Sequence, residues 1–162
     1  GEYIRTGLNY HEWYQNFRRG VDMMRYSRQW RIDFTLTLPG LFEVERIQQL
    51  ASSLGVDILA KVVFTFTPDI VLSPLSLPRE ILDRQVDLLI KSVKSPALHN
   101  VLMQLKQRPT MQEQWPDEYH QGMQKGKRRI LQLEQIRQDN FTMNDILKRD
   151  KEIHEWWKSI PG

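Results

Sequence analysis

The sequence contains no cysteine among its 162 residues, and this absence excludes several kinds of chemistry. Disulfides, thiolate nucleophiles and cysteine-ligated zinc or iron–sulfur sites all require that residue. Long apolar runs are also absent, because no stretch approaches the roughly 20 residues that a helix needs to cross a bilayer. Near the start, Arg5, Asn9 and Glu12 interrupt any apolar segment of the kind found in signal peptides. We therefore predict a cytoplasmic protein without a membrane association.

The chain also lacks a large excess of charge of either sign, since its formal net charge is only +3. The main local exception is the basic run KGKRR at 125–129, within a predicted helix. Such a run is typical of a solvated helix surface, so we do not expect nucleic acid as a partner. A helical module that binds protein or nucleic acid through 125–129 is the alternative function. The four histidines are far apart in sequence, and we predict no metal site in this chain.

Apolar residues recur at spacings of three and four along most of the chain, which is typical of amphipathic helices. Gly55 is a suitable residue to follow the end of the second helix. Ser95 and Pro96 form a typical helix start, and Thr142 is a candidate N-cap for the final helix. The predicted helices span 10–28, 43–54, 79–93, a stretch from 96 through 105, 117–137 and a last helix after 142.

Two segments, 31–38 and 58–66, break this helical pattern and predict β-strands. The first alternates polar and apolar side chains, whereas the second is nearly continuous in apolar residues. A strand of the second kind is typical of parallel pairing beneath helices. The alternating order of helices and strands therefore predicts a helix-rich α/β fold of βα units, as in part of a partial TIM barrel. We expect barrel units over 1–94 and a helical C-terminal extension over 95–162.

The polar faces of the two strands are the main candidate site from the residue pattern. Asp33, Thr35 and Thr37 alternate with apolar residues in the first strand, and Lys61 and Thr65 share a face of the second. These side chains either line the cavity of a barrel or lie on a half-exposed sheet that faces solvent, and the pattern allows both. In a barrel, Asp33 is expected to pair with Lys61, because a buried lysine is costly without a partner.

A parallel sheet of only two strands would be unusually small. Such sheets normally have more strands, and helices cover both of their faces. We therefore expect further strands from outside this chain. Unpaired strand edges also favour association between chains, so a homodimer formed through the strand edges is a further expectation.

Three segments resemble parts of radical S-adenosylmethionine (radical SAM) enzymes. EYIRTGLNYHEWYQNFRRGVDMM (2–24) resembles the segment that follows the fourth barrel strand. Residues 34–82, from FTLTLPG to LPREIL, resemble the fifth and sixth strands with their helix and proline-rich loop. LEQIRQDNFTMNDILKRDKEIHEWW (133–157) resembles the closing helix of members with a short twitch-type extension. The cysteine motif of the family, C-x3-C-x2-C, is absent, so the resemblance implies a C-terminal half of such an enzyme.

The resemblance also implies a division of labour between the two halves. A 4Fe-4S cluster in the missing N-terminal barrel half, this chain's expected partner, would cleave S-adenosylmethionine to a 5′-deoxyadenosyl radical. Within the whole enzyme, this chain would position cofactor and substrate and would supply no catalytic residue. By itself it would bind no cofactor and would be inactive. The residues expected to contact S-adenosylmethionine are Arg5, which would meet the methionyl carboxylate, and Thr35, Thr37, Val63 and Thr65. The residues expected to face the substrate are Asp33, Lys61 and Asp69.

Overall fold

Eight α-helices, two β-strands and two short 3-10 helices make up the described part of the chain. The computed structural model describes residues 3, 7–24, 30–63, 65–138 and 140–162. The strands are β1 (Arg31–Leu36) and β2 (Asp57–Val62). The helices are α1 (Tyr10–Asp22), α2 (Val44–Leu54), α3 (Arg79–Ser92), α4 (Pro96–Gln107), α5 (Met111–Gln114), α6 (Tyr119–Arg137), α7 (Met143–Leu147) and α8 (Lys151–Ser159). The 3-10 helices are Pro39–Glu43 and Pro74–Ser76. The prediction of a helix-rich α/β fold is confirmed.

The two strands form a parallel sheet, as the sequence predicted, and α2 is the crossover between them. Leu36 pairs in register with Val62 at the carboxyl ends of the strands. The strands end two and four residues earlier than predicted, respectively. β1 ends because Leu38 already has helical backbone angles, and its N–H donates to the carbonyl of Leu72 at 2.7 Å. The chain therefore turns into a 3-10 helix before the alternating pattern runs out.

Helices cover one face of the sheet, and this face contributes to the main hydrophobic core. Leu36 and Val62 lie in that core together with Trp157 of α8. Residues from both predicted parts of the chain therefore share one core, and the position of a boundary near 94 stays a prediction. A smaller core lies beneath α1, where Ile32 of β1 packs with apolar residues of α2. α1 ends at Asp22, so the prediction that this helix continues through 28 was wrong at Met23 and Met24, and its remainder lies outside the described residues.

Local capping chemistry determines several helix ends, as predicted. Gly55 ends α2 in the left-handed conformation with φ of 63°, which glycine adopts without a steric penalty. The Ser95 hydroxyl caps α4, and Pro96 occupies the first position of that helix. Thr142 caps α7, and its hydroxyl and the Asp145 side chain form a reciprocal capping box.

The predicted final helix is in fact two helices, so that prediction was wrong. The break is at Asp150, whose backbone is extended with φ of −131° and ψ of 125°. Its carboxylate accepts the N–H of Ile153 at 3.0 Å and therefore starts α8 as an N-cap. Arg84 Nη2, from α3, donates to the same carboxylate at 2.7 Å. The Arg84 side chain, which is distant in sequence, thus stabilises the N-terminus of α8.

The connection after β2 packs closely against α6. A Cβ atom placed on Gly122 would lie 2.5 Å from the carbonyl oxygen of Pro68. A Cβ on Gly126, one turn later, would lie 2.5 Å from the carbonyl oxygen of Asp69. Because any side chain at these two positions would overlap the backbone, the two glycines permit the close approach of the loop that leaves the carboxyl end of β2.

A bidentate ion pair joins the start of α3 to α5. Arg79 Nη2 lies 2.7 Å from Glu113 Oε2, and Arg79 Nε lies 3.0 Å from Glu113 Oε1. The side-chain hydrogen bond from Arg79, together with the backbone N–H of Thr110, lowers the pKa of Glu113 to about 2. The folded state thus favours the ionised carboxylate.

We expect this ion pair to make the free energy of unfolding fall in acid. A carboxylate whose pKa is lower in the folded state contributes stability above its unfolded pKa, about 4.5 here, and that contribution is lost as pH falls toward 2. Glu113→Gln should be less stable at neutral pH and should lose less stability across that window. Urea titrations across the window measure this, with Glu80→Gln on the exposed side of α3 as control. A pH dependence unchanged by Glu113→Gln would contradict the prediction.

Candidate functional site

The uncovered face of the sheet brings together polar side chains of both strands. Asp33 and Thr35 of β1 are exposed on this face, and so is Lys61 of β2. Thr35 and Lys61 are directly opposite each other in the register. Leu59 is 41% exposed on the same face, although the apolar character of β2 suggested cover on both sides. In this chain, therefore, the polar faces share one surface and meet solvent.

Asp33 pairs with Arg31 and not with Lys61, so the predicted pairing was wrong. The Asp33 Oδ1 atom lies 3.0 Å from Arg31 Nε, and both side chains are more than half exposed. The register explains the difference, because Leu59 lies opposite Asp33. Lys61 lies two residues further along β2, opposite Thr35. Among the described residues, Lys61 has no ion-pair partner.

The residues that follow the two strands make hydrogen bonds to the backbone of the turn and of the neighbouring strand. Thr37 is buried and does not share the exposed face, which corrects the prediction from alternation. Its hydroxyl accepts the N–H of Gly40 at 3.1 Å. The N–H of Val63 donates to the carbonyl of Leu36 at 3.2 Å, which extends the pairing by one bond. Thr65 is half-buried.

Asp69 is held by the basic run of α6. Arg129 Nη1 lies 2.7 Å and Lys125 Nζ 3.1 Å from Asp69 Oδ2, and the hydroxyl of Thr67 donates to Oδ1 at 2.5 Å. The Thr67 hydrogen bond, with support from both cations, lowers the pKa of Asp69. The carboxylate is therefore ionised and is bound by its own chain, so it holds the loop after β2 against α6.

The remaining cations of the basic run also bind parts of the same chain. Lys127 is buried, and its Nζ donates to the carbonyls of Trp157 at 2.8 Å and Ile160 at 2.7 Å. Arg128 Nε donates to the carbonyl of Gly162 at 3.3 Å. All four cations of the run therefore have partners within the chain, and this gives no support to a nucleic-acid interface at 125–129.

Two concave regions on the described part of the chain are lined by residues other than those predicted for the site. One, of about 250 Å³, is lined by residues that include Phe42, Gln85 and Arg149. A smaller one, of about 70 Å³, lies beside Tyr3 and Arg137. None of the predicted site residues in the described ranges lines either region. Arg5, the predicted contact to the methionyl carboxylate, lies outside the described residues.

Sequence reasoning missed Gly122, Gly126 and Lys127, which determine how the C-terminal helices and the loop after β2 pack. The spacing of the glycines was a detectable signal, because two small residues one helical turn apart permit close backbone approach. The role of Lys127 had no such signal, since its position within a basic run is typical of a surface residue.

The fold and the exposed polar face define a helix-rich α/β protein with a small two-stranded parallel sheet. Comparisons with protein-family models, with characterised proteins and with solved structures find no match to this chain. Over the ranges that the structure describes, no helix is both long enough and apolar enough to cross a membrane.

Proposed function

We propose that this chain is the C-terminal, cluster-free half of a radical SAM enzyme, and that β1 and β2 are two strands of a partial TIM barrel. The exposed polar face would then be the inner face of the barrel. The missing N-terminal half would supply the other strands and the iron–sulfur cluster. In this arrangement the chain positions S-adenosylmethionine and substrate but is inactive by itself.

The observation that carries the proposal is a parallel strand pair with one helix-covered face and one bare, polar face. Parallel sheets in proteins are generally covered on both faces or closed into barrels. In a barrel, the helices pack outside the strands and the inner residues approach the site at the carboxyl ends. Thr35 and Lys61 are opposite each other near those ends, and this supports a role for both in such a site.

The residues of this chain fit the two implied cofactors differently. No cysteine is present, so the chain cannot supply the thiolates of a 4Fe-4S cluster. S-adenosylmethionine offers hydroxyl, amino and carboxylate groups, which an exposed hydroxyl at Thr35 can hydrogen-bond. Thr37 and Val63 already use their hydroxyl and N–H, respectively, in the turn and the strand pairing.

Two of the residues expected to face substrate receive distinct roles in this proposal. Lys61 would direct an ammonium group into the site, where it can orient an anionic or hydrogen-bond-accepting group of the substrate. Asp69 would act as a positioning residue, because its ion pairs with Lys125 and Arg129 fix the loop at the mouth of the barrel. Asp33, already paired with Arg31, would lie deeper on the inner face.

The proposal predicts that Lys61→Met lowers turnover at least about ten-fold in the natural polypeptide that contains these residues, as loss of one positioned charge-assisted contact would. The assay is anaerobic reconstitution with iron and sulfide, followed by chromatography of 5′-deoxyadenosine formed from S-adenosylmethionine. Lys91→Met, an exposed position on α3, is the matched control. The 162-residue chain should form no 5′-deoxyadenosine under the same conditions.

Two results would contradict this proposal in different ways. A natural polypeptide that binds no iron after reconstitution would refute the radical SAM assignment itself. A polypeptide that forms 5′-deoxyadenosine equally well with lysine or methionine at position 61 would refute the assignment of Lys61 to the site. Circular dichroism spectra of both variants establish that the fold is retained.

A further inference from the structure

The outer edge of β1 carries unpaired backbone groups whose identity follows from the pairing with β2. The carbonyl of Leu36 accepts the N–H of Val63, so the peptide groups of Leu36 point toward β2. Successive residues of a strand point their N–H and C=O groups to opposite sides. The groups of Arg31, Asp33 and Thr35 therefore point away from β2, and they bind no backbone group among the described residues.

The sequence along this edge is self-complementary when it is read in opposite directions. The residues are Trp30, Arg31, Ile32, Asp33 and Phe34, with Ile32 at the centre. Opposite charges flank the isoleucine, and an aromatic residue lies beyond each charge. If an antiparallel copy places Ile32 opposite Ile32, each arginine is opposite an aspartate and each tryptophan is opposite a phenylalanine.

We propose that a second copy of this chain pairs antiparallel along the β1 edge, with Ile32 of one protomer opposite Ile32 of its partner. In this register Arg31 and Asp33 form the hydrogen-bonded pairs, so four backbone bonds cross the interface. A two-fold axis perpendicular to the sheet relates the copies and gives a four-stranded sheet in the order β2-β1-β1-β2. This proposal does not rest on the proposed function.

Charge selects this register over its neighbours. In one protomer, Arg31 and Asp33 are 3.0 Å apart and are 60% and 56% exposed, respectively, so both can meet a partner. In the proposed register each charge lies directly opposite its counter-charge, which stabilises an antiparallel pair. A shift that places Asp33 opposite Asp33 would bring like charges together and cost stability. The interface therefore contains an element that opposes the wrong pairing.

Helix α1, which packs against Trp30 just before β1, supplies apolar surface for the contact. The rings of Phe17 on α1 and Trp30 are edge to face, with centroids 5.4 Å apart. No residue of α1 is buried, although the helix carries an aromatic stripe, and Trp30 is 39% exposed. A second copy would cover part of this surface. A strand that preceded α1 in a longer polypeptide would compete for the same edge, so the dimer is a property of the 162-residue chain.

Sedimentation equilibrium on the 162-residue chain, from about 1 to 100 μM, tests the proposal. The wild-type chain should be a dimer in this range. Arg31→Asp alone, or Asp33→Arg alone, should raise the dissociation constant at least about ten-fold, because each places like charges opposite each other at two symmetric positions. The double variant Arg31→Asp/Asp33→Arg exchanges the charges and should return the dissociation constant to within about three-fold of the wild-type value.

Asp57→Lys is the matched control, since it reverses a charge at an exposed position of the other strand. It should leave the dissociation constant unchanged. A monomer at all concentrations would overturn the proposal, as would a dimer that neither single reversal weakens. Failure of the double variant to recover the dimer would also overturn the proposed register. Amide hydrogen exchange gives a second measurement, because protection at Arg31 and Asp33 should increase with protein concentration.

Discussion

The double variant Gly122→Ala/Gly126→Ala is expected to lower the free energy of unfolding by about 3 kcal/mol, near the upper end of typical overpacking costs. In an exposed helix, replacing glycine by alanine stabilises by roughly 1 kcal/mol, so the expected sign is opposite to that of helix propensity. The reason is that the Cβ atom of each new alanine would lie 2.5 Å from a backbone carbonyl oxygen, of Pro68 or Asp69. A backbone segment cannot move aside as a flexible side chain can.

Urea and thermal unfolding measure this effect, and a loss of that size corresponds to roughly 6–12 °C in Tm for a chain of this length. The matched control is Gln121→Ala/Gln132→Ala, which introduces two alanines at exposed positions of α6. The control should be neutral or slightly stabilising. If the glycine variant is as stable as the control, the loop after β2 does not pack on α6 as described.

Lys127→Met is expected to destabilise the chain by about 2–4 kcal/mol, because it leaves two buried carbonyl groups without a donor. The ammonium of Lys127 satisfies the carbonyls of Trp157 and Ile160 at the end of α8, and it lies 5.0 Å from the centroid of the Trp157 ring. Burial lowers the pKa of Lys127, so the folded state carries this charge at a desolvation cost that the two hydrogen bonds offset.

Lys125→Met is the matched control, since it removes a cation from the same run but from an exposed position. Asp69 would retain Arg129, so a loss of less than about 1 kcal/mol is expected, as for exposed ion pairs. The free energies of unfolding of the two variants at neutral pH test the comparison. Equal effects at positions 125 and 127 would contradict the buried role of Lys127.

Local patterns predicted the elements of the fold because their causes are local. The alternation at Ile32, Phe34 and Leu36 reflects the two-residue repeat of a strand, and it identified the face that the helices cover. Gly55 and Thr142 end or begin helices through their own backbone freedom or hydroxyl group, so both were found correctly. Parallel pairing followed from the βα order, since a strand, a helix and a second strand form a crossover unit.

Element ends were less predictable where a distant group determines them. β1 stops two residues early because the N–H of Leu38 donates to the carbonyl of Leu72, and the separate start of α8 at Asp150 is stabilised by Arg84. Neither partner is visible in a local window of sequence. For the candidate site, the sequence correctly placed Thr35 and Lys61 on one face, but the register puts Leu59 and not Lys61 opposite Asp33, whose carboxylate pairs with Arg31 of the same strand.

The sequence by itself determined the helix-rich α/β class, the parallel pair, the capped helix ends and the absence of any thiolate chemistry in this chain. Tertiary structure alone decided the roles of Asp69 and of the basic run at 125–129. Asp69 is bound by Lys125 and Arg129, which lie more than 50 residues away in sequence. The ammonium group of Lys127, on α6, is buried against the C-terminal end of α8. The physical reason is that a charge has no intrinsic partner. Its role depends on which groups the fold brings within hydrogen-bond distance and on how much water remains around them.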